Sequence, residues 1–202
     1  MNPERLSRFL VAGLLLSFLA VRAYFTIRLR EKHGEIPGVS HRIDSEGRVN
    51  FAFRRFLIAP MLAVATFLFF IKSPWLVPFA MDLPSPLVIT SASIGMCGIL
   101  FLVWVHRTLG REWSAKLKIR ADHQLIRTGP YARIRHPMYT ALFTIYGAIG
   151  VTSSNFLILV PLVLAVLSIL VRIPKEESML MERFGADYRS YKEQTGRFLP
   201  RP

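Results

Sequence analysis

A chain of 202 residues, 52% apolar and only 19% charged, has room for one small membrane bundle or one or two soluble domains, and this balance leans toward the bilayer. Lys and Arg outnumber Asp and Glu by 26 to 13, but the basic residues lie between long apolar runs, where cytoplasmic loops of membrane proteins collect them; no aromatic-basic platform for nucleic acid is visible. The single cysteine, Cys97, sits inside an apolar run, which excludes intrachain disulfides and Cys-based metal sites.

Leu6 to Ile27 is apolar apart from Arg22 and a few hydroxyls, roughly 33 Å of helix and enough to cross a bilayer. No clean small-residue cleavage site follows, so a membrane helix is expected rather than a signal peptide. Arg28 to Arg55 reads as a basic connector broken by Gly34, Pro37, Gly38 and Gly47. A second apolar run covers Phe56 to Ile71, starting near Phe51 or Phe53, with Pro60 expected to kink it or to sit in its first turn. Lys72 to Pro86, with Pro74, Pro78, Pro84 and Pro86 beside Trp75 and Phe79, reads as an interfacial or re-entrant loop. Leu87 to Val105 is a third span, and the basic His106 to Arg135 follows.

Met138 to Val151 and Phe156 to Val171 flank Thr152-Ser-Ser-Asn155, and so short a turn demands an antiparallel helical hairpin. The first arm is short for a full span, so it either tilts into the protein interior or begins below the surface. The expectation is an all-α, polytopic membrane bundle of about five helices. Residues 1–105 hold the first three helices and their basic connector, and residues 106–202 hold the chemistry. The positive-inside rule puts 28–55, 106–135 and the C-terminal segment in the cytoplasm and the N-terminus outside, with Arg5 and Arg8 as counter-evidence.

Two polar stretches carry most groups able to grip a ligand: His123 to Tyr139 and Arg172-Ile-Pro-Lys-Glu-Glu177. His136 precedes a proline, avoids helical dihedrals and is expected to mark the start of the fourth helix. Free backbone N–H groups there suit an anion, although an ordinary helix start at the membrane surface explains the same residues. Thr128-Gly129-Pro130-Tyr131 reads as a turn. Tyr131 and Tyr139 are candidates for ring and hydroxyl contacts with a ligand, or for interfacial anchors. His123 and His136 have no third ligand at metal spacing, so no metal site is expected. Arg172 reads as a snorkelling residue or as a ligand group; Glu176, four residues on, can share its face. Pro174 is expected to break or kink the helix, with Glu176 and Glu177 starting the next one, and Gly185 to permit a further bend.

Gly-Pro-Tyr, then Arg-His-Pro-x-Tyr, an apolar hairpin, Arg-x-x-x-Glu-Glu, Phe-Gly-x-x-Tyr-x-x-Tyr and a terminal Gly-Arg-Phe-x-Pro together resemble the isoprenylcysteine carboxyl methyltransferase family of integral membrane enzymes. The resemblance runs from about Gly110-Arg-Glu-Trp-Ser114 to Pro200, with the short, five-helix archaeal and bacterial members particularly similar. It implies S-adenosylmethionine-dependent methyl transfer at the cytoplasmic membrane face, in a pocket built around the fourth–fifth helix hairpin and a C-terminal helix. It also implies cofactor contacts from Lys118, His123, Gln124, Leu125, Ile126, Tyr131, His136, Pro137, Met138, Tyr139 and Glu176, with Glu177 as the alternative to Glu176. Arg172 carries over as the substrate-side arginine. No Gly-x-Gly-x-x-Gly motif supports a Rossmann-type methyltransferase.

A carboxylate acceptor is already ionised at neutral pH and needs no general base, and Arg172 has the fork to orient it. This fits what the resemblance implies: a lipophilic substrate entering from the bilayer, a prenylcysteine-type acid in the family's name reaction, with membrane lipids around it; neither nucleic acid nor metal is expected. Alternatives are methyl transfer to another small hydrophobic or phospholipid substrate, a sterol-reductase-like enzyme using NADPH, and a non-enzymatic membrane protein.

Overall fold

A computed structural model describes residues 3–33, 48–109 and 125–201 of the chain. Its described residues form five long helical segments that alternate in direction. Helix α1 spans Pro3–His33. The second segment, α2, runs over Val49–Phe70 and contains a π-helical turn at Phe53–Ile58. Helix α3 spans Ser85–Leu109, α4 Pro137–Ser153 and α5 Phe156–Gln194. Four of them (α1, α2, α3 and α5) are long and apolar enough to cross a membrane.

The π-helical turn answers the question posed by Pro60. A proline offers no N–H and its ring crowds the carbonyl four residues back, so the preceding turn must widen. Here Ala59 N–H bonds the Arg54 carbonyl, five residues back, and the ordinary α-helix resumes through Pro60. Pro60 thus lies in the first α-turn after a wide turn, and the helix begins before Phe51.

Helix α4 has 17 residues, roughly 25 Å, and lies inside the bundle: Ala141, Ile145, Ala148 and Ile149 are buried. In lipid, helices associate by close packing of small residues rather than by escape from water. Gly95 and Gly98 of α3 provide it, since a Cβ on either would fall 2.8 Å from Ala148 Cβ or 3.1 Å from Ile145 Cγ1. Outward-facing Phe9, Leu16, Phe67, Leu100 and Val163 present apolar surface where lipid would lie.

One end of the bundle is closed by the hairpin turn. Ser154 takes the left-handed conformation, and Asn155 caps α5 by accepting a hydrogen bond from Leu157 N–H at 3.0 Å. The Asn155 amide donates to the Leu76 carbonyl at 3.1 Å, and Met81 N–H to the Ser154 carbonyl at 2.7 Å. The proline-rich loop, a 3₁₀ helix over Pro74–Phe79, is thereby docked against the turn, with Trp75 and Val77 exposed. Ser7 of α1 donates to the Thr152 carbonyl at 2.7 Å, so the N-terminal end of α1 lies at this end too.

Two expectations about α5 change. Pro174 does not break the helix, and Glu176 and Glu177 lie well inside it; the one non-helical residue within α5 is Gly185, at φ 49° and ψ −118°. A proline removes a single backbone bond, and buried Ile173 and Glu177 hold the helix together on either side of it. The apolar part ends at Val171, so Arg172 onward forms a long polar extension beyond the membrane-spanning part.

Candidate functional site

At the opposite end of the bundle the chain enters α4 through a 3₁₀ turn at Gly129–Ala132. Gly129 takes φ +56°, and a Cβ there would meet Thr108 Oγ1 of α3 at 2.7 Å, so this turn seats directly on the end of α3. The Tyr131 carbonyl accepts a 2.7 Å bond from the Tyr191 hydroxyl of α5. His136 stands at the N-cap with φ −120° and ψ 55°, and Pro137 takes the first helical position, as the His-Pro pair implied.

The terminal Gly-Arg-Phe segment lies alongside this entry. Arg135 N–H bonds the Gly196 carbonyl at 2.8 Å, His136 N–H the Arg197 carbonyl at 3.0 Å, and Gly196 N–H the Arg133 carbonyl at 3.0 Å. Thr140 Oγ1 donates to the Phe198 carbonyl at 2.8 Å. The C-terminal strap therefore satisfies backbone groups that the start of α4 leaves open. It also brings Phe198 into an aromatic row with His136, Tyr139 and Phe143: His136 stacks on Tyr139 at 5.5 Å, and Phe198 meets Phe143 edge-on at 5.3 Å.

The two adjacent glutamates of α5 separate into different tasks, because successive helical residues point about 100° apart. Glu176 Oε2 accepts the Tyr139 hydroxyl at 2.7 Å and lies 4.0 Å from Arg172 Nε. Glu177 turns into the protein. Its Oε1 accepts from His136 Nε2 at 3.2 Å and from Arg197 Nε at 3.2 Å, and its Oε2 from Arg197 Nη2 at 3.1 Å. Lys192 Nζ lies 3.2 Å away and Arg135 Nε 3.6 Å away. The hydrogen bond from His136, opposed by burial and joined by those from Arg197 and Lys192, holds the Glu177 carboxyl well below the usual carboxylate range. A buried charge survives only with such pairing. Glu177 is therefore the knot that ties strap, helix entry and α5 together, while Glu176 holds the Tyr139 hydroxyl beside Arg172.

The predicted residues divide accordingly. His136, Pro137, Tyr139, Glu176 and Arg172 come together. Tyr131 joins them: burial, followed by the negative charge of Glu176, pushes its hydroxyl above the ordinary phenol range. Met138 packs against the apolar core. Leu125 and Ile126 are half-buried beside Arg127, whose Nη2 donates to the Asp187 carbonyl at 2.8 Å and so fastens that stretch to α5. Lys118, His123 and Gln124 lie outside the described residues.

Sequence reasoning missed Arg135, Lys192 and Arg197 as partners of Glu177, although Gly-Arg-Phe-x-Pro was in view as a motif. It also missed Arg54 on the π-helical turn of α2, which, like Arg172, lies within electrostatic reach of the Tyr139 hydroxyl.

The site's chemistry is a carboxylate and three aromatic rings beside an arginine. Such a set fits a zwitterionic nucleoside donor with a sulfonium: the carboxylate suits its hydroxyls or its positive charge, and ring faces attract a cation.

The family model for the isoprenylcysteine carboxyl methyltransferase (ICMT) family matches residues 91–182, beginning earlier than the Gly110 expected and stopping short of Pro200. A protein-S-isoprenylcysteine O-methyltransferase of Saccharomyces cerevisiae is 37% identical over 101 residues, 46% of this chain and 40% of that protein. One from Tribolium castaneum is 35% identical over 86 residues, 40% of this chain and 29% of that protein. The nickel-cobalt-cadmium resistance protein NccN of Alcaligenes xylosoxydans is 28% identical over 110 residues, 54% of this chain and 49% of that protein. The chain therefore spans less than half the length of these curated relatives. Among solved structures, the eukaryotic intramembrane Ras methyltransferase ICMT superposes with a TM-score of 0.56 at 19% identity, covering 95% of this chain and 67% of that one. The chain thus carries the sequence pattern of the isoprenylcysteine carboxyl methyltransferase family over residues 91–182, on a membrane fold shared with a solved member of that family along nearly its whole length.

Proposed function

We propose that the protein is a membrane methyltransferase that transfers the methyl group of S-adenosylmethionine to the carboxylate of a lipophilic acid of the prenylcysteine type, at the cytoplasmic face. The observation that carries this reading is the Tyr139–Glu176 hydrogen bond, which joins the two polar stretches beside Arg172. The family pattern over residues 91–182 supports the same chemistry. Residues 106–202 form the catalytic region in this reading, and 1–105 supply the first three helices.

The donor supplies an activated methyl group on a positively charged sulfur. Glu176 and the rings of Tyr139, His136 and Phe198 would hold it, with Leu125, Ile126, Tyr131, Pro137 and Met138 on its nucleoside side; Lys118, His123 and Gln124 are further contacts that the family resemblance implies. Arg172 orients the acceptor carboxylate by paired N–H bonds. With the donor bound, one carboxylate oxygen would form the new bond to the methyl carbon while the electron pair of the broken bond stayed on sulfur. No proton is released, so the site needs no base. Its work is to align the partners and exclude water.

The reading is tested by incubating the purified protein in lipid with methyl-labelled S-adenosylmethionine and membrane extracts. Label in a base-labile ester of a prenylated acid is expected. Binding of NADPH in place of S-adenosylhomocysteine would replace this reading with a reductase.

A further inference from the structure

The methyl acceptor's acidic group has so far one arginine, Arg172, and that arginine already shares its charge with Glu176 at 4.0 Å. A second guanidinium, that of Arg54, acts electrostatically on the same Tyr139 hydroxyl. Arg54 lies on the π-helical turn Phe53–Ile58 of α2, half-buried, and both it and Arg172 act electrostatically on Tyr139. The placement of Arg54 is fixed by packing. Asn50, one helical turn before it and on the same face, donates from Nδ2 to the Ser168 carbonyl at 3.1 Å, and Ser168 is one turn before Arg172 on α5. This bond, between residues 118 positions apart, clamps the start of α2 onto α5. Pro60 enforces the wide turn on which Arg54 sits, with the Arg54 carbonyl accepting from Ala59 N–H. Of the two arginines at the start of this span, Arg55 is exposed and Arg54 is half-buried, and a half-buried arginine is retained most readily where it serves a charged partner.

We infer that Arg54 is a second anion-binding residue, which with Arg172 forms a two-arginine clamp on the carboxylate of a lipid-chain acid presented from the bilayer. This rests on the proposed methyltransferase reading and deepens it: the site selects acids over their neutral analogues. Arg54 meets the anion from the membrane side, where the lipid chain continues, and Arg172 meets it from the polar side. An ester product lacks the charge and is released toward lipid. The clamp thus distinguishes acceptor from product by one negative charge.

The test uses the full chain in phosphatidylcholine nanodiscs and two probes, N-acetyl-S-farnesylcysteine and its methyl ester. Binding of each, and of S-adenosylhomocysteine, is measured by calorimetry. The wild type is expected to bind the acid more tightly than the ester by about tenfold or more, as charge-assisted hydrogen bonds in a dry site do. Arg54→Gln is expected to remove most of that preference, with ester and S-adenosylhomocysteine affinity unchanged. Arg54→Lys, which keeps the charge and loses the fork, is expected to fall between them and serves if the glutamine variant does not fold. An undiminished acid preference in a variant that still binds S-adenosylhomocysteine would overturn the inference, as would equal binding of both probes by the wild type. A wild type that binds no S-adenosylhomocysteine would instead overturn the methyltransferase reading itself.

Discussion

The Tyr139 hydroxyl donates to Glu176 Oε2 at 2.7 Å, across 37 residues and the whole of the α4–α5 hairpin. Two helices that leave the membrane side by side are thereby joined at their polar ends. The bond engages the glutamate through Oε2, and the tyrosine ring stacks against His136 at 5.5 Å.

Glu176→Ala is accordingly expected to weaken S-adenosylhomocysteine binding by about tenfold to a hundredfold, the worth of one or two charge-assisted hydrogen bonds. Tyr139→Phe keeps the ring and loses the hydroxyl, so a smaller loss is expected. Calorimetric titration of the folded protein decides it; unchanged affinity in the alanine variant would remove Glu176 from the donor site.

Arg172→Ala acts elsewhere on the reaction. Turnover is expected to fall by a factor of about a hundred, while S-adenosylhomocysteine affinity changes only a fewfold. Full activity in this variant would exclude Arg172 from the acceptor's carboxylate.

Glu177 is expected to matter for stability rather than chemistry. Glu177→Ala leaves Arg135, Lys192 and Arg197 facing each other with His136, which costs about 3–5 kcal/mol by the measure of broken buried pairs. Because the folded-state carboxyl is held below its unfolded value of about 4.3, its stabilising contribution is present above that pH and is lost as pH falls below it. Thermal unfolding in detergent between pH 7 and pH 3 should show that decline in the wild type. A Glu177→Gln protein with the wild-type melting temperature and pH profile would contradict the assignment.

Gly129→Ala should destabilise the entry to α4. The positive φ costs about 1–2 kcal/mol for any other residue, and the new Cβ would press on Thr108. Loss of S-adenosylhomocysteine affinity together with a lowered melting temperature is expected, since Tyr131 and His136 follow directly. A variant as stable as the wild type would show that the turn can shift without consequence.

How much of this was legible in the chain follows from range. Local order set the apolar runs, the hairpin at Thr152-Ser-Ser-Asn155, the His-Pro helix start and the shared face of Arg172 and Glu176, because hydropathy, turn length and helical period act within a few residues. The motif pattern carried the resemblance to the family, and the resemblance implied most candidate contacts. Pro174 did not end the helix, which continues through it between buried Ile173 and Glu177.

Only tertiary structure decided which glutamate does what. Glu176 and Glu177 are chemically identical neighbours, and their roles differ because His136 and Arg197, 41 and 20 residues away along the chain, converge on the second one. Arg54 was indistinguishable from other basic connector residues until the structure set it, half-buried, on a wide helical turn one turn from the Asn50–Ser168 bond. A sequence fixes which groups are charged and which segments are helical; which charges meet depends on how the helices pack, because electrostatic partners are chosen by distance in space and not along the chain.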